Sequence, residues 1–194
     1  MRYGLPILRS VTGDEFAAVL TAAQSGSEAA FAALWRDVNP ALLRYLRVIA
    51  PDVADDVAAE TWLQVVRGLA RFSGDEAGWR AWLFTIARRR TIDEGRRRSR
   101  RPTSPLDELT PHEMPSTPDA AELAMQNLET PRAIALVSTL PPLQAEVIML
   151  RVVAGLDTEA VAKLVGRSPG AVRVAAHRGL RRLAEILTRS DVTQ

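Results

Sequence analysis

The chain has 194 residues, enough for one or two modest cores, and its 25 basic against 23 acidic side chains leave a formal net charge of +2. It contains no cysteine and only two histidines, His112 and His177, which lie in different segments, so disulfides and thiolate metal sites are excluded and no metal or other cofactor is expected. No apolar run approaches the roughly 20 residues needed to cross a membrane, and no signal peptide fits; an intracellular protein is the simplest reading.

Residues 1–11 carry no assignable element. Thr12 followed by Glu15 fits a capping box, and Phe16, Val19, Leu20 and Ala23 then fall on one helical face. Ser25, Gly26 and Ser27 break this helix. Phe31, Leu34, Trp35 and Val38 repeat the helical period, Asn39 and Pro40 punctuate again, and Leu42, Tyr45, Leu46 and Ile49 resume it. Pro51 and Asp52 lead into a longer helix reaching about Arg71, with Ala54, Ala58, Thr61, Trp62, Val65 and Leu69 as its core stripe. Its other side carries Asp56, Ala59, Glu60, Leu63 and Gln64, a mixed acidic and apolar surface that a purely solvated face would not need.

The small and polar residues from Phe72 to Gly78 read as a loop. A helix resumes near Trp79, with Trp82, Leu83 and Ile86 at core spacing. It runs into residues 88–101, where eight arginines stand against Asp93 and Glu94. Gly95 costs that helix about 1 kcal/mol relative to alanine, and Pro102 stops it. Residues 102–118 hold five prolines and three acids with no lysine or arginine, a composition that cannot bury a core and reads as a linker. Asp119 and Glu122 open a further helix, and Pro131 and the Pro141-Pro142 pair divide those that follow. Since no segment alternates like a strand, the fold expected is all-α. It comprises two small helical domains, 12–101 and 119–189, joined by a flexible linker at 102–118.

Within the second domain, Thr158 to Val165 forms one helix, Gly166 and Arg167 a tight turn, and Ser168 opens the next. Ser168 suits an N-cap and Pro169 the first helical position, where a missing N–H costs nothing. Counted from Thr158, small Ala162 stands at position five, Gly166 at nine, and Val161, Val165, Val172 and Ala175 at four, eight, fifteen and eighteen. That is helix-turn-helix spacing: a small residue allows a close crossing and glycine allows the turn. Arg167 to Arg182 holds five arginines, one histidine and no acid. An apolar face backed by a cationic one suits the major groove of DNA, although the arginines of an ordinary helical hairpin also line a solvated face.

Taken together, several motifs resemble the extracytoplasmic-function sigma factors, small two-domain bacterial transcription initiation factors. They are Asp55-Asp56-Val57-Ala58-Ala59-Glu60-Thr61-Trp62-Leu63, Trp79-Arg80-Ala81-Trp82-Leu83-Phe84-Thr85-Ile86-Ala87-Arg88 with Ile92-Asp93, Leu140-Pro141 with Gly155-Leu156, and Ser168-Pro169-Gly170-Ala171-Val172-Arg173. Their order and spacing cover Asp14 to Leu187. The resemblance implies a cytoplasmic protein, without membrane insertion of its own, that binds core RNA polymerase and promoter DNA. By the same resemblance an anti-sigma protein is a candidate partner.

Carried over residue by residue, Asp56, Glu60, Leu63 and Gln64 would dock on a clamp helix of the largest polymerase subunit, with Ala59 standing where the family often has glutamine. Phe72, Arg80, Arg88, Arg89 and Arg96 would serve the minus-ten element, where a base is extruded and must be held by stacking and hydrogen bonds. The family often has asparagine at the position of Arg89 and a larger residue at Gly95. For the minus-thirty-five element the matching residues are Ser168, Pro169, Gly170, Ala171, Arg173, Val174, His177 and Arg178, with Arg151 as a phosphate partner. Arg173 is the best base reader, since a guanidinium grips guanine at two points. A self-sufficient helix-turn-helix regulator is the alternative. An enzyme is disfavoured, because Asp55 and Asp56 are adjacent on a helix, point in different directions and have no companion histidine.

Overall fold

The computed structural model describes residues 13–100 and 129–191. Its helices are α1 (Gly13–Gln24), α2 (Glu28–Ile49), α3 (Ala54–Leu69), α4 (Glu76–Arg100), α5 (Glu129–Ser138), α6 (Pro142–Ile148), α7 (Thr158–Val165) and α8 (Pro169–Asp191). A 3-10 turn (Pro51–Val53) precedes α3, and a π-helical turn (Met149–Val153) continues α6. Among the described residues there is no strand, in keeping with the all-α expectation. The cap at Thr12, the linker at 102–118 and the helix opened by Asp119 lie outside the described residues.

Phe16, Leu20 and Ala23 bury the inner face of α1, and Ser27 caps α2 by accepting from the Ala30 N–H at 3.3 Å. Here the sequence reading needs correction: α2 is a single helix that runs through Asn39 and Pro40. A proline inside a helix costs roughly 3 kcal/mol. It is outweighed because Leu34, Val38, Ala41, Leu42, Tyr45 and Leu46 keep one phase across it and are all buried. Asn39, read as punctuation, accepts at 2.9 Å from the indole N–H of Trp62 and so ties α2 to α3.

In α3 the stripe Ala54, Ala58, Thr61, Trp62, Val65 and Leu69 is buried as expected. Helix α4 begins three residues before Trp79. Asp75 caps it, its carboxylate accepting from the Gly78 N–H at 2.8 Å, so Gly78 belongs to the first helical turn rather than to the loop. The helix then passes through Gly95 without interruption.

In the second half, Pro131 lies in the first turn of α5 and Pro142 opens α6, both positions where a missing N–H is harmless. Asp157 caps α7, accepting from Ala160 N–H at 2.7 Å. Gly166 closes α7 at φ 66°, the left-handed conformation that makes glycine the natural choice there. Ser168 accepts from Ala171 N–H at 3.2 Å, and Val161, Val165, Val172 and Ala175 are buried, so the helix-turn-helix reading holds in detail. The two halves also pack on each other, which periodicity alone did not reveal. Helix α2 touches α5, α6 and the π-helical turn, and α4 touches α7.

Candidate polymerase and nucleic-acid interfaces

The acidic side of α3 divides into two flanks. Asp56, Glu60 and Leu63 share a groove with Val57, Glu94 and Arg97, and Leu63 is 56% exposed. Val66, 55% exposed, extends this apolar edge and was missed by the sequence reading because it followed the charges. Gln64 lies on the other flank, in a groove with Arg67, Gly68, Arg71, Trp82, Ile86, Arg89, Arg90 and Asp93. With its amide oxygen turned towards the guanidinium groups, Gln64 accepts from Arg90 at 2.7 Å and Arg67 at 3.3 Å. Arg90 also lies 3.7 Å from Glu60, so the two flanks are bridged. Arg67, Arg71 and Arg90 were absent from the sequence-based set. The i+3 spacing of Arg67 after Gln64 is the signal that places it on that side of α3, and Arg71 follows in the turn just past the helix end.

That second groove sets four guanidinium groups around an indole and an isoleucine, a cationic track with an aromatic wall of the kind single-stranded nucleic acid uses. Trp82 lies directly on the backbone of α3: a Cβ at Gly68 would stand 2.7 Å from its ring. Phe72 stacks on Trp82 at 5.0 Å and 27° and meets Trp79 edge-on at 5.4 Å. Trp62 and Trp79 are buried packing residues.

The structure separates the minus-ten candidates. Arg80 is 15% exposed and ion-paired with Asp37 at 2.7 Å and Glu76 at 3.3 Å, so its charge is committed to holding α4 against α2. Arg88 and Arg89 line an open groove between the halves, with Trp82 on one wall and Asp157, Glu159 and Lys163 on the other. Arg88 donates to Glu146 at 2.7 Å across this junction, and the same carboxylate oxygen accepts from the buried Tyr45 hydroxyl at 3.2 Å. Burial and then the Glu146 charge push the Tyr45 hydroxyl well above the usual tyrosine range, so it stays protonated and donates. Arg96 is exposed towards the end of α4, where the second groove does not include it.

On α8, Ser168, Gly170, Arg173, Val174 and His177 are exposed, Ala171 is partly buried, and Pro169 occupies the first turn. Val174 is 49% exposed, an apolar side chain offered to solvent beside Arg173. Arg178 instead shares a groove with Gln144, Arg181 and Arg182 on another side of the helix. Arg151 is exposed, and one of its nitrogens donates to the Leu156 carbonyl at 2.7 Å, which fixes the turn leading to α7. No helix is long and apolar enough to cross a membrane, and no cluster of three metal-ligating side chains occurs, both among the described residues.

All-helical among its described residues, with a helix-turn-helix unit and a separate basic, aromatic-walled groove, the chain has the make-up of a DNA-binding protein. Residues 34–101 match the family model for sigma-70 region 2, and residues 132–183 match that for sigma-70 region 4. The chain is 32% identical over 189 residues to the ECF RNA polymerase sigma factor SigD of Mycobacterium tuberculosis, covering 94% of this chain and 89% of that one. It is 35% identical over 157 residues to ShbA of Streptomyces griseus, another ECF RNA polymerase sigma factor, covering 75% of this chain and 81% of the relative. Among solved structures, CnrH in complex with the cytosolic domain of CnrY matches with a TM-score of 0.58 and 25% identity, over 90% of this chain and 97% of that one. The chain belongs to the extracytoplasmic-function sigma factors. It is a transcription initiation factor that binds core RNA polymerase and directs it to promoters.

Proposed function

We propose that the chain docks on the clamp helices of the largest polymerase subunit through Asp56, Glu60 and Leu63, with Val66 extending the contact and Gln64 at its margin. The observation that carries this reading is a helix whose buried stripe is complete, yet which presents carboxylates and large apolar side chains together on its outer side. Exposed apolar side chains rimmed by charge mark a protein contact. Arg88, Arg89 and Arg96 serve the minus-ten element together with Arg67, Arg71 and Arg90, while Phe72 and Trp82 form the wall for an extruded base. Arg80 contributes by positioning α4. Arg173, Val174 and His177 read the minus-thirty-five element, supported by the helix start at Ser168, Pro169, Gly170 and Ala171. Arg151 and Arg178 act on backbone phosphates.

The domains divide at 12–101 and 119–189, and the linker at 102–118 lets them part. Two elements about 25 base pairs apart lie about 85 Å apart along B-form DNA at 3.4 Å per pair. A compact chain of this length has a radius of gyration of about 16 Å, so the packed arrangement cannot reach both. Promoter binding therefore requires the Glu146 contacts to break. A fully extended linker reaches about 60 Å, and the two domains add the rest.

The reading places the protein in the cytoplasm, as a non-enzymatic factor. An anti-sigma protein is a proposed partner, in line with the similarity to CnrH, whose solved structure includes the cytosolic domain of CnrY. A self-sufficient helix-turn-helix regulator is not favoured, since the first domain would then have no use for its docking flank. Transcription in vitro with core polymerase, followed by mapping of start sites, tests the proposal. Specific initiation dependent on this chain is the outcome expected, and absence of any complex with core would overturn it.

A further inference from the structure

Gln24, the last residue of α1, precedes the segment matched to sigma-70 region 2, and no motif in the sequence singles it out. Its side-chain amide nitrogen donates to the Leu69 carbonyl at 2.9 Å and the Phe72 carbonyl at 2.8 Å. Leu69 ends α3, so its carbonyl is one of the four a helix leaves without an intrahelical partner. Phe72 N–H also donates to Leu69 at 3.1 Å, and Arg71 N–H to Gly68 at 3.0 Å. A side chain from 45 and 48 residues earlier thus bridges the end of α3 and the first carbonyl of the loop that follows.

What that bridge holds is the ring of Phe72. The ring lies flat on Trp82, which also rests on the bare backbone of Gly68 and touches the Trp79 ring, and the Phe72 ring meets Trp79 edge-on as well. Gly74, at φ +159°, packs so closely that a Cβ there would lie 3.2 Å from the Phe72 ring. Helix α1 supports the same cluster a second time through Phe16, whose ring is 6.5 Å from Trp79. Trp82 lines both the arginine-rich groove and the groove between the halves, so the placement of Phe72 decides how much of the indole face a base can reach.

We propose that Gln24 is a positioning residue for minus-ten recognition: it touches no DNA, but fixes the loop from Ala70 to Asp75 so that Phe72 and Trp82 form a ready-made wall. The inference rests on reading this loop as part of the minus-ten site. Without the amide, the Leu69 carbonyl keeps only the Phe72 N–H, the Phe72 carbonyl turns to water, and the loop, no longer tied to α1, must be ordered each time a strand binds. Fixing one residue costs about 1–2 kcal/mol, a five- to thirtyfold loss of affinity for the melted strand.

The test uses the full chain assembled with core polymerase, comparing the natural protein with Gln24→Met and Gln24→Glu. Both variants keep the length of the side chain and remove its donors. Three affinities are measured: for core, for a duplex carrying only the minus-thirty-five element of a promoter mapped as above, and for a labelled single strand carrying its minus-ten sequence. Both variants are expected to lose five- to thirtyfold on the single strand and to flatten base preference at the minus-ten positions, with the other two affinities unchanged. Unchanged binding of the single strand would overturn the proposal, as would an equal loss in all three affinities, which marks a purely structural cap. Phe72→Ala, run in parallel, separates this from failure of the underlying reading. If Phe72→Ala leaves single-strand binding intact, the loop is not part of the minus-ten site and the proposal for Gln24 falls with that reading.

Discussion

Removing the Glu146 carboxylate should open the molecule. One oxygen of Glu146 accepts from Arg88 at 2.7 Å and from the Tyr45 hydroxyl at 3.2 Å, joining α6 to both α4 and α2. The Arg88 and Glu146 side chains are 26% and 13% exposed, neither freely solvated nor fully buried. A wholly exposed pair contributes at most about 1 kcal/mol, whereas a hydrogen bond to a charged group out of bulk water contributes about 1.5–3 kcal/mol. Glu146→Ala should therefore shift the balance between packed and parted domains by roughly 10- to 150-fold. Glu146→Gln should shift it less, because the amide oxygen still accepts from Tyr45. The chain has no cysteine, so Ser25→Cys and Arg182→Cys, both at exposed positions, provide unique sites for a fluorescent donor and acceptor. Energy transfer in the free protein should fall in the order natural, Gln, Ala, and assembly with core polymerase should become correspondingly tighter, since less of the chain is held in a form that must first open. Identical transfer in all three proteins would refute a part for Glu146 in holding the halves together beside the helix packing.

Alkaline pH should act on the same junction. The Tyr45 hydroxyl is raised in the packed form above its ordinary value of about 10, so its contribution is complete below that pH and is lost as pH climbs through the raised value; energy transfer between the same labels should fall there. Arg173→Ala should cost about 1–3 kcal/mol at a cognate promoter and relax preference at one base position, read by binding to promoters varied across the minus-thirty-five element. Charge reversal at Asp56 and Glu60 should weaken the complex with core while circular dichroism of the free protein stays unchanged, since both side chains are exposed; normal core affinity would move the docking site elsewhere. Gly95→Ala should stabilise the protein by about 0.5–1 kcal/mol, because a Cβ at this position meets nothing within 4 Å and the residue is already helical; a lower denaturation midpoint would contradict this.

The local devices of this fold were legible in the sequence because each rests on residues close together in the chain. Ser168 with Pro169, Gly166 with Ala162, and the buried stripe of α3 are of this kind, and each stands where its spacing put it. What was misread depends on distant partners. Pro40 looked like a break because its cost is local, whereas the burial that outweighs it comes from α3 and from the second half of the chain. Arg80 looked like one more cation of a DNA-directed helix, but Asp37, 43 residues earlier, neutralises it. Glu146 drew no notice, since a lone carboxylate in a short helix has no period to betray it; only the fold brings it to Arg88 and Tyr45. The candidate site was therefore readable as a list of side chains on α3, α4 and α8 with Phe72 and Arg151 beside them, and unreadable as a division between those already paired and those left for a partner.

That division gives α3 a particular role. Its 16 residues make a rod about 24 Å long, with Asp56, Glu60 and Leu63 along one flank and Gln64 and Arg67 along the other, which Arg71 continues in the turn just past the helix end. The first flank suits a basic protein surface and the second a polyanionic strand. Because both flanks belong to one helix packed rigidly through Thr61, Trp62 and Val65, a partner seated on the acidic flank fixes the arginine groove in space without any further movement. The bridge from Glu60 to Arg90, at 3.7 Å with both side chains partly exposed, is weak enough to be exchanged. In the docking proposed above, a polymerase cation that takes Glu60 would leave Arg90, which already lines the groove, without its carboxylate, so docking would both aim the proposed DNA-reading surface and add to its positive charge.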